Sequence, residues 1–301
     1  MTTTLPYTAL VSQEADFQGW LDAHGQGIGA SEIAAILGEH PFKSALRVWA
    51  EKTGALPPQD LSDVESVSWG LRLEPVVAEE FERRTGITVE RWGTLLRSNT
   101  DPWALATPDY RVVDSNIPVQ VKTTSAYRLT GWADGPPREV FLQVQQEMLV
   151  TGAPMAYVAV LVGGQRFMWA EVPRDEEAIA AIQLAGEEFW YMVQARTWPA
   201  LEGSEDEALA IKELWPRATG EEIALPATLL PLASQLERVR YHLNDMEREE
   251  TALSNEIKMA LGAAEFGRFP DGSGFSYREQ TRKAHWVKES TFRVLRRIQG
   301  V

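Results

Sequence analysis

Apolar residues recur along this chain first at helical and then at strand spacing. In VSWGLRLEPVVAEEFERRTG, residues 67–86, Leu73, Val76, Val77 and Phe81 fall three and four positions apart, the spacing of one helix face, and Gly86 closes the run. Upstream, FQGWLDAHG, SEIAAILG and ALRVWAEKTG read as shorter helices, joined through the glycine-rich turn GQGIGA and the turn HPFKS. Ser31 is the expected N-cap of the second, and Gly38 its stop. PPQD, Pro57 to Asp60, is a loop.

The period then changes to two. ITVERWGTLLRS, WALATPDYRVV and IPVQVKT are rich in β-branched and aromatic residues and are separated by Asp, Asn and Pro, which predicts strands. DGPPREVFLQVQQEMLVTG reads as a loop and a helix, MAYVAVLVGG with QRFMWAEVPR as a hairpin across Gly163 and Gly164, and EEAIAAIQLAGEEFWYMVQAR as a long helix beside the sheet. This order predicts an α/β core with a mixed central sheet flanked by helices, spanning 1–200. An acidic, proline-interrupted connector is expected over 201–227. In 228–301 the apolar spacing of Leu232, Leu236, Val239, Leu243 and Met246 predicts a helical hairpin or coiled-coil arm, followed by a β-hairpin turning at PDGSG and a basic tail.

Composition narrows the chemistry. The 301 residues contain no cysteine and four histidines, His24, His40, His242 and His285, scattered along the chain. Disulfides, thiolate chemistry and cysteine-held zinc are excluded, so any bound metal must rest on oxygen ligands. With 29 basic against 43 acidic residues the net charge is −14, which argues against a nonspecific coating of nucleic acid but leaves room for a focused basic channel. Such a channel has a candidate contributor in the tail, where Arg282, Lys283, Lys288, Arg293, Arg296 and Arg297 face one acid, Glu289. No apolar run approaches the ~20 residues of a membrane span, and no secretory signal opens the chain. The expected location is the cytoplasm.

One constellation carries chemistry. The tripeptide TPD ends at Asp109, and IPVQVKTT starts at Ile117. Strand alternation puts Gln120 and Lys122 on one face, where Asp109, at the end of the preceding strand, can meet them, and Glu74 is a further oxygen ligand on a helix. Cleaving a phosphodiester needs an activated water and neutralisation of charge growing on the phosphate; carboxylates holding Mg²⁺ beside a lysine supply both. On its own this pattern is short enough to arise by chance from two strands with charged ends.

The surrounding text adds specificity. GIGASEIAAILGEHPFKSALRVWAEKTG, WGLRLEPVVAEEFERRTG, TPDYRVVD, VQVKTTSAY and FLQVQQEMLVTG together resemble, in order and spacing, the YqaJ-like viral recombinase family of phage alkaline exonucleases, over roughly Trp20 to Val172. The resemblance implies the PD-(D/E)XK restriction-endonuclease-like fold, with a C-terminal helical arm and β-hairpin. It implies Asp109 as the main metal-bridging carboxylate, Gln120 at the second acidic ligand position, Lys122 serving the water, Glu74 assisting at the metal and Gln143 beside it. Ser31 and Thr107 would contact a DNA 5′-phosphate. Implied too are Mg²⁺ or Mn²⁺ as cofactor, 5′ to 3′ degradation of one strand of linear double-stranded DNA, a homotrimer, and a single-strand annealing protein as partner.

Two positions depart from the family pattern. An arginine is usual seven residues before the serine of GAS, and here His24 stands there, which makes the phosphate grip weaker or pH-dependent. Gln120 brings a carbonyl oxygen without charge. Three accounts are open: a natural glutamine branch that remains active, a binding-only relative that holds DNA ends on a nuclease scaffold, or a deliberate replacement of glutamate. An endonuclease of the restriction type is a further reading, and no sequence-reading domain is evident for it. The loop from Arg128 to Pro137 is a candidate lining of the DNA path, with Arg128 and Trp132 its candidate contacts. Trp103, near Asp109, is a second aromatic candidate, whereas Trp49, Trp69, Trp92 and Trp190 are expected in the core.

Overall fold

The computed structural model describes residues 5–61 and 63–281. The basic tail residues from Arg282 to Arg297, with Glu289, therefore lie outside the described residues. The chain divides after Trp215 into two compact units.

In chain order the first unit contains β1 (Tyr7–Ser12), α1 (Phe17–His24), β2 (Ile28–Gly29), α2 (Ile33–Ile36), α3 (Ala45–Lys52), α4 (Glu65–Thr85), β3 (Val89–Arg91), β4 (Thr94–Ser98), β5 (Ala104–Ala106), β6 (Tyr110–Val112), β7 (Pro118–Thr124), α5 (Arg138–Thr151), β8 (Met155–Val162), β9 (Arg166–Pro173), α6 (Glu176–Ala195) and α7 (Glu205–Leu214). Its strands form two mixed sheets. One runs β3-β6-β7-β8-β9, the other β1-β4-β5-β2. In the first, β7 and β8 pair in parallel with Gln120 beside Val158 and Lys122 beside Val160. A parallel pair needs a crossover, and α5 supplies it.

α5 is buried on almost every side because both sheets need cover. Val140, Val144 and Met148 join the core under β8 and β9. Leu142, Leu149 and Val150 face the other core, with Ile28, Leu96 and Ala104 of the second sheet. A third cluster forms where α4 crosses the first sheet: Val77 and Phe81 pack on Val119, Val121 and Tyr157, and the Phe81 and Tyr157 rings lie 5.3 Å apart. This packing carries Glu74, one turn earlier on α4, to the end of β7. The hairpin β8–β9 turns through Gly163 and Gly164, at φ of +59° and +71°, backbone that side chains with a Cβ seldom adopt.

Several expectations are corrected. β1 lies in a segment read without a strand, and it pairs antiparallel with β4. Ser31 is not an N-cap: 30–32 form a short 3₁₀ turn capped from inside by Glu32, whose Oε2 accepts the Gly29 N–H at 2.8 Å. Trp69 is 51% exposed, whereas Trp49 is buried and Trp92 and Trp190 pack against the core. Trp103 is a core residue, not a base platform. It packs against Gly186 of α6, where a Cβ would stand 2.1 Å from the ring.

The stretch 201–227 is only partly a connector, because α7 docks on α3. Asp206 accepts from the Ser44 N–H at 2.8 Å and Oγ at 2.7 Å, and Arg47 reaches Asp206 at 2.7 Å and Glu213 at 2.8 Å. The Arg47 side chain is 4% exposed, so its removal takes the counter-charge from Asp206 and leaves it only the Ser44 bonds. Arg47→Met is expected to cost about 2 kcal/mol of stability and to speed hydrogen exchange in 205–214 before the rest of the unit, as read by mass spectrometry.

The second unit holds α8 (Leu230–Leu261), β10 (Phe266–Arg268) and β11 (Gly274–Ser276). α8 is one continuous helix of 32 residues, which excludes the helical-hairpin alternative. The turn between β10 and β11 closes with the Phe269 N–H donating to Ser273 at 2.8 Å. Among the described residues no helix is long and apolar enough to cross a membrane.

Candidate active site

β7 passes from a buried start, Pro118–Val121, to a half-buried end, and the alternation of the strand turns Gln120 and Lys122 the same way. Asp109 arrives from the short link between β5 and β6. Its Oδ2 accepts the Gln120 Nε2–H at 2.6 Å and the Val121 N–H at 2.8 Å. Burial pushes the Asp109 carboxyl up to about 7; Lys122 opposes this, while the charge of Glu74 adds to it. Gln120 Oε1 is buried and has no hydrogen-bond partner.

Glu74 is 8% exposed and accepts from Arg91 of β3, which also pairs with Glu14. Lys122 Nζ donates to Gln143 Oε1 at 2.9 Å, and Gln143 Nε2 donates to Glu147 Oε1 at 3.0 Å. Glu147 was not singled out from sequence. It is fully buried, and burial, then the charge of Asp109, push its carboxyl up to about 8.

These donors fit a hard cation. Asp109 and Glu74 offer carboxylate oxygens, and the Gln120 carbonyl oxygen is an orphaned buried acceptor of the kind an ion satisfies. The set lacks one charge, and accordingly no cluster of three His, Cys, Asp or Glu side chains suited to a metal occurs among the described residues. Arg91 further offsets Glu74.

One cleft opens on this centre at Lys122 and Gln143, and a second adjoins the first at Ser31, His40 and Phe42. The first, of about 790 Å³, is lined by Lys122, Gln143, Ser31, Arg128, Tyr127 and Phe42. Arg128 stands 4.6 Å above the Phe42 ring. Trp132 borders the cleft but is itself 7% exposed and packs in the core with Val140 and Val144. The second cleft, about 690 Å³, is lined by Trp20, His24, Ser31, Glu32, Lys43 and Lys52. Ser31 borders both. Thr107 accepts from the Trp20 indole at 3.2 Å, and Trp20 stacks on His24 with ring centres 4.8 Å apart. The structure thus brings Asp109, Gln120, Lys122, Gln143 and Glu74 to one centre, and His24 and Thr107 to a neighbouring one through Trp20.

His24 cannot act there as a cation at neutral pH. Burial lowers its pKa to about 4, against the opposing pull of Glu32, and Lys52 Nζ stands 3.2 Å from Nδ1. The positive charge belongs to Lys52 and Lys43, paired with Glu32 at 2.8 Å and 3.9 Å. Between pH 6.5 and 4 the unfolded chain protonates this histidine and the folded one does not, so the stability contributed by His24 falls on acidification. The wild-type stability relative to His24→Phe, from denaturant unfolding of both proteins, is expected to fall by roughly 2 kcal/mol between pH 7 and 5, because the contributions of Asp109 and Glu147 cancel in that difference.

The description YqaJ-like viral recombinase domain matches residues 19–154. A Bacillus subtilis (strain 168) relative, uncharacterized protein YqaJ, is 33% identical over 272 residues, covering 89% of this chain and 85% of that one. The chain belongs to the YqaJ-like viral recombinase family. The matched YqaJ-like region takes in every site residue named above, from His24 to Glu147. The chain also shares the fold of a solved nuclease over part of its length. The crystal structure of an alkaline exonuclease from Laribacter hongkongensis matches with a TM-score of 0.50 and 22% identity, over 64% of this chain and 96% of that one.

Proposed function

We propose that this YqaJ-like chain is a DNA exonuclease, dependent on Mg²⁺ or Mn²⁺, that degrades one strand of linear double-stranded DNA from the 5′ end in phage-type recombination. The observation that carries the reading is the meeting of Asp109, the orphaned Gln120 Oε1 and Lys122 at the end of β7. Family membership and the fold shared with an alkaline exonuclease support it.

Asp109, Gln120 and Glu74 would hold the cation, which supplies an activated water and neutralises charge on the scissile phosphate. Lys122 orients that water and steadies the phosphate, and Gln143 holds the lysine in place. Ser31, which borders both clefts, and Thr107, bonded to Trp20 of the second, take the 5′-phosphate, with Lys52 and Lys43 supplying the charge that His24 lacks. Arg128 and the edge of Trp132 line the path of the strand. The core 1–200, arm and basic tail would work as a homotrimer in the bacterial cytoplasm beside a single-strand annealing protein.

The test is cation-dependent loss of 5′-phosphorylated linear duplex, with closed circular DNA left intact. Cutting of closed circles would replace this reading with an endonuclease. A second reading, a noncatalytic DNA-end-binding protein, draws support from the pairing of Arg91 with Glu74 and from the missing charge at Gln120. It requires end binding indifferent to Asp109→Ala and no turnover after Gln120→Glu.

A further inference from the structure

α5 buries five polar side chains, Gln143, Gln145, Gln146, Glu147 and Thr151, and their employments differ. Gln145 bonds the backbone of Pro173 and Asp175 at 2.9 Å each, and Gln146 donates to Ile28 at 2.8 Å and Leu105 at 3.0 Å. Both tie strand ends to the helix. Glu147 does neither. Its Oε1 accepts from Gln143, one turn earlier on the same helix, and its Oε2 is buried with no partner. For packing alone, an apolar side chain of similar size would cost less than a carboxyl satisfied at one oxygen.

What the carboxyl supplies is an acceptor aimed at one end of an amide. The two ends of a glutamine amide are nearly identical in shape and opposite in hydrogen bonding. Lys122 needs the oxygen end, and a rotated amide would set an NH₂ group against the ammonium. With Glu147 accepting from Nε2, only one sense satisfies both neighbours.

We propose that Glu147 is a positioning residue: it fixes the sense of the Gln143 amide and thereby holds the Lys122 ammonium at the end of β7. The role needs an acceptor rather than a charge. Burial and nearby Asp109 favour the protonated carboxyl, with Lys122 and the Gln143 hydrogen bond opposing, and its carbonyl oxygen is the acceptor in that form. The importance of Lys122 rests on the exonuclease reading, but the anchoring itself is a property of the folded chain and is measurable without DNA or metal.

The experiment compares wild type, Glu147→Leu, Glu147→Gln and Gln143→Met, all checked for folding by thermal melting. In metal-free protein, acylation of Lys122 by acetic anhydride is followed by peptide mass spectrometry. Glu147→Leu and Gln143→Met are expected to label Lys122 several-fold faster than wild type, and Glu147→Gln to restore the slow rate. On 5′-phosphorylated duplex with Mg²⁺, Glu147→Leu should lower kcat by roughly tenfold with KM within about twofold, and Glu147→Gln should recover it. Labelling of Lys122 at the wild-type rate in Glu147→Leu, or a Glu147→Gln variant as impaired as the leucine, overturns the proposal. If Glu147→Leu does not fold, wild-type labelling in Gln143→Met does so instead. A wild type that degrades no DNA with any divalent cation defeats the exonuclease reading, while the labelling still decides the positioning.

Discussion

Asp109→Asn is expected to abolish cation-dependent DNA degradation, by roughly 10³-fold or more in turnover, while making the metal-free protein more stable. Both effects follow from one placement. The Asp109 carboxyl sits between Gln120 Nε2 and the Val121 N–H, and an asparagine oxygen can accept from both, so the local geometry survives. What disappears is the charge. Burial has raised the folded pKa of this group to about 7, above the 3.8 of an exposed aspartate, so the ionised form is disfavoured by folding. A raised carboxyl pKa contributes stability that is present below pH 3.8 and is lost as pH rises through 7. At pH 8 the asparagine escapes that penalty, and the melting temperature should rise by roughly 2 °C or more. Melting followed by circular dichroism at pH 8, beside digestion of linear duplex with Mg²⁺, checks both. Retained turnover would sink the exonuclease site as assigned. Lost turnover with a fall in Tm would show that Asp109 serves packing instead.

The elements legible in the sequence are those whose signals are local. α4 follows from the spacing of Val77 and Phe81, and the β8–β9 hairpin from Gly163 and Gly164, because each needs only its own residues to form. β1 was not legible, since half of its positions are exposed and its partner β4 lies over eighty residues downstream. α7 looked like a connector because its acidity finds a purpose only when Asp206 and Glu213 meet Arg47 in space. Nearness in sequence also misled at Trp103, whose ring is buried against Gly186 of α6.

For the site, strand alternation was enough to align Gln120 with Lys122, and the order of motifs enough to bring Asp109, Glu74 and Gln143 to them. Proton states were not legible. Burial, with Lys52 beside it, lowers the His24 pKa, and burial under both sheets, then the charge of Asp109, raises that of Glu147. The signal that could have exposed Glu147 is the density of polar residues in QVQQE, a run that a helix buried on all sides cannot hold without assigned partners.

Gln120→Glu is the substitution that separates the accounts of this position. In the metal-free chain it removes the Nε2 donor from Asp109 and sets a second carboxylate against the first, inside a site already charged by Glu74. Like charges at this depth repel, so the metal-free variant should lose about 1–2 kcal/mol of stability. A divalent cation reverses the sign, because the new carboxylate becomes a ligand and the orphaned oxygen is satisfied. Mn²⁺ affinity by calorimetry is expected to tighten roughly tenfold or more, and the rise in Tm on adding Mn²⁺ to exceed that of wild type. Under a natural glutamine enzyme, wild type already turns over and the variant works at lower metal concentration. Under a replaced glutamate, turnover appears where there was none. Under the end-binding reading neither protein degrades DNA, yet both hold its ends. Absence of any Mn²⁺-dependent shift in either protein would remove the cation from the site, and with it the hydrolytic role of Asp109.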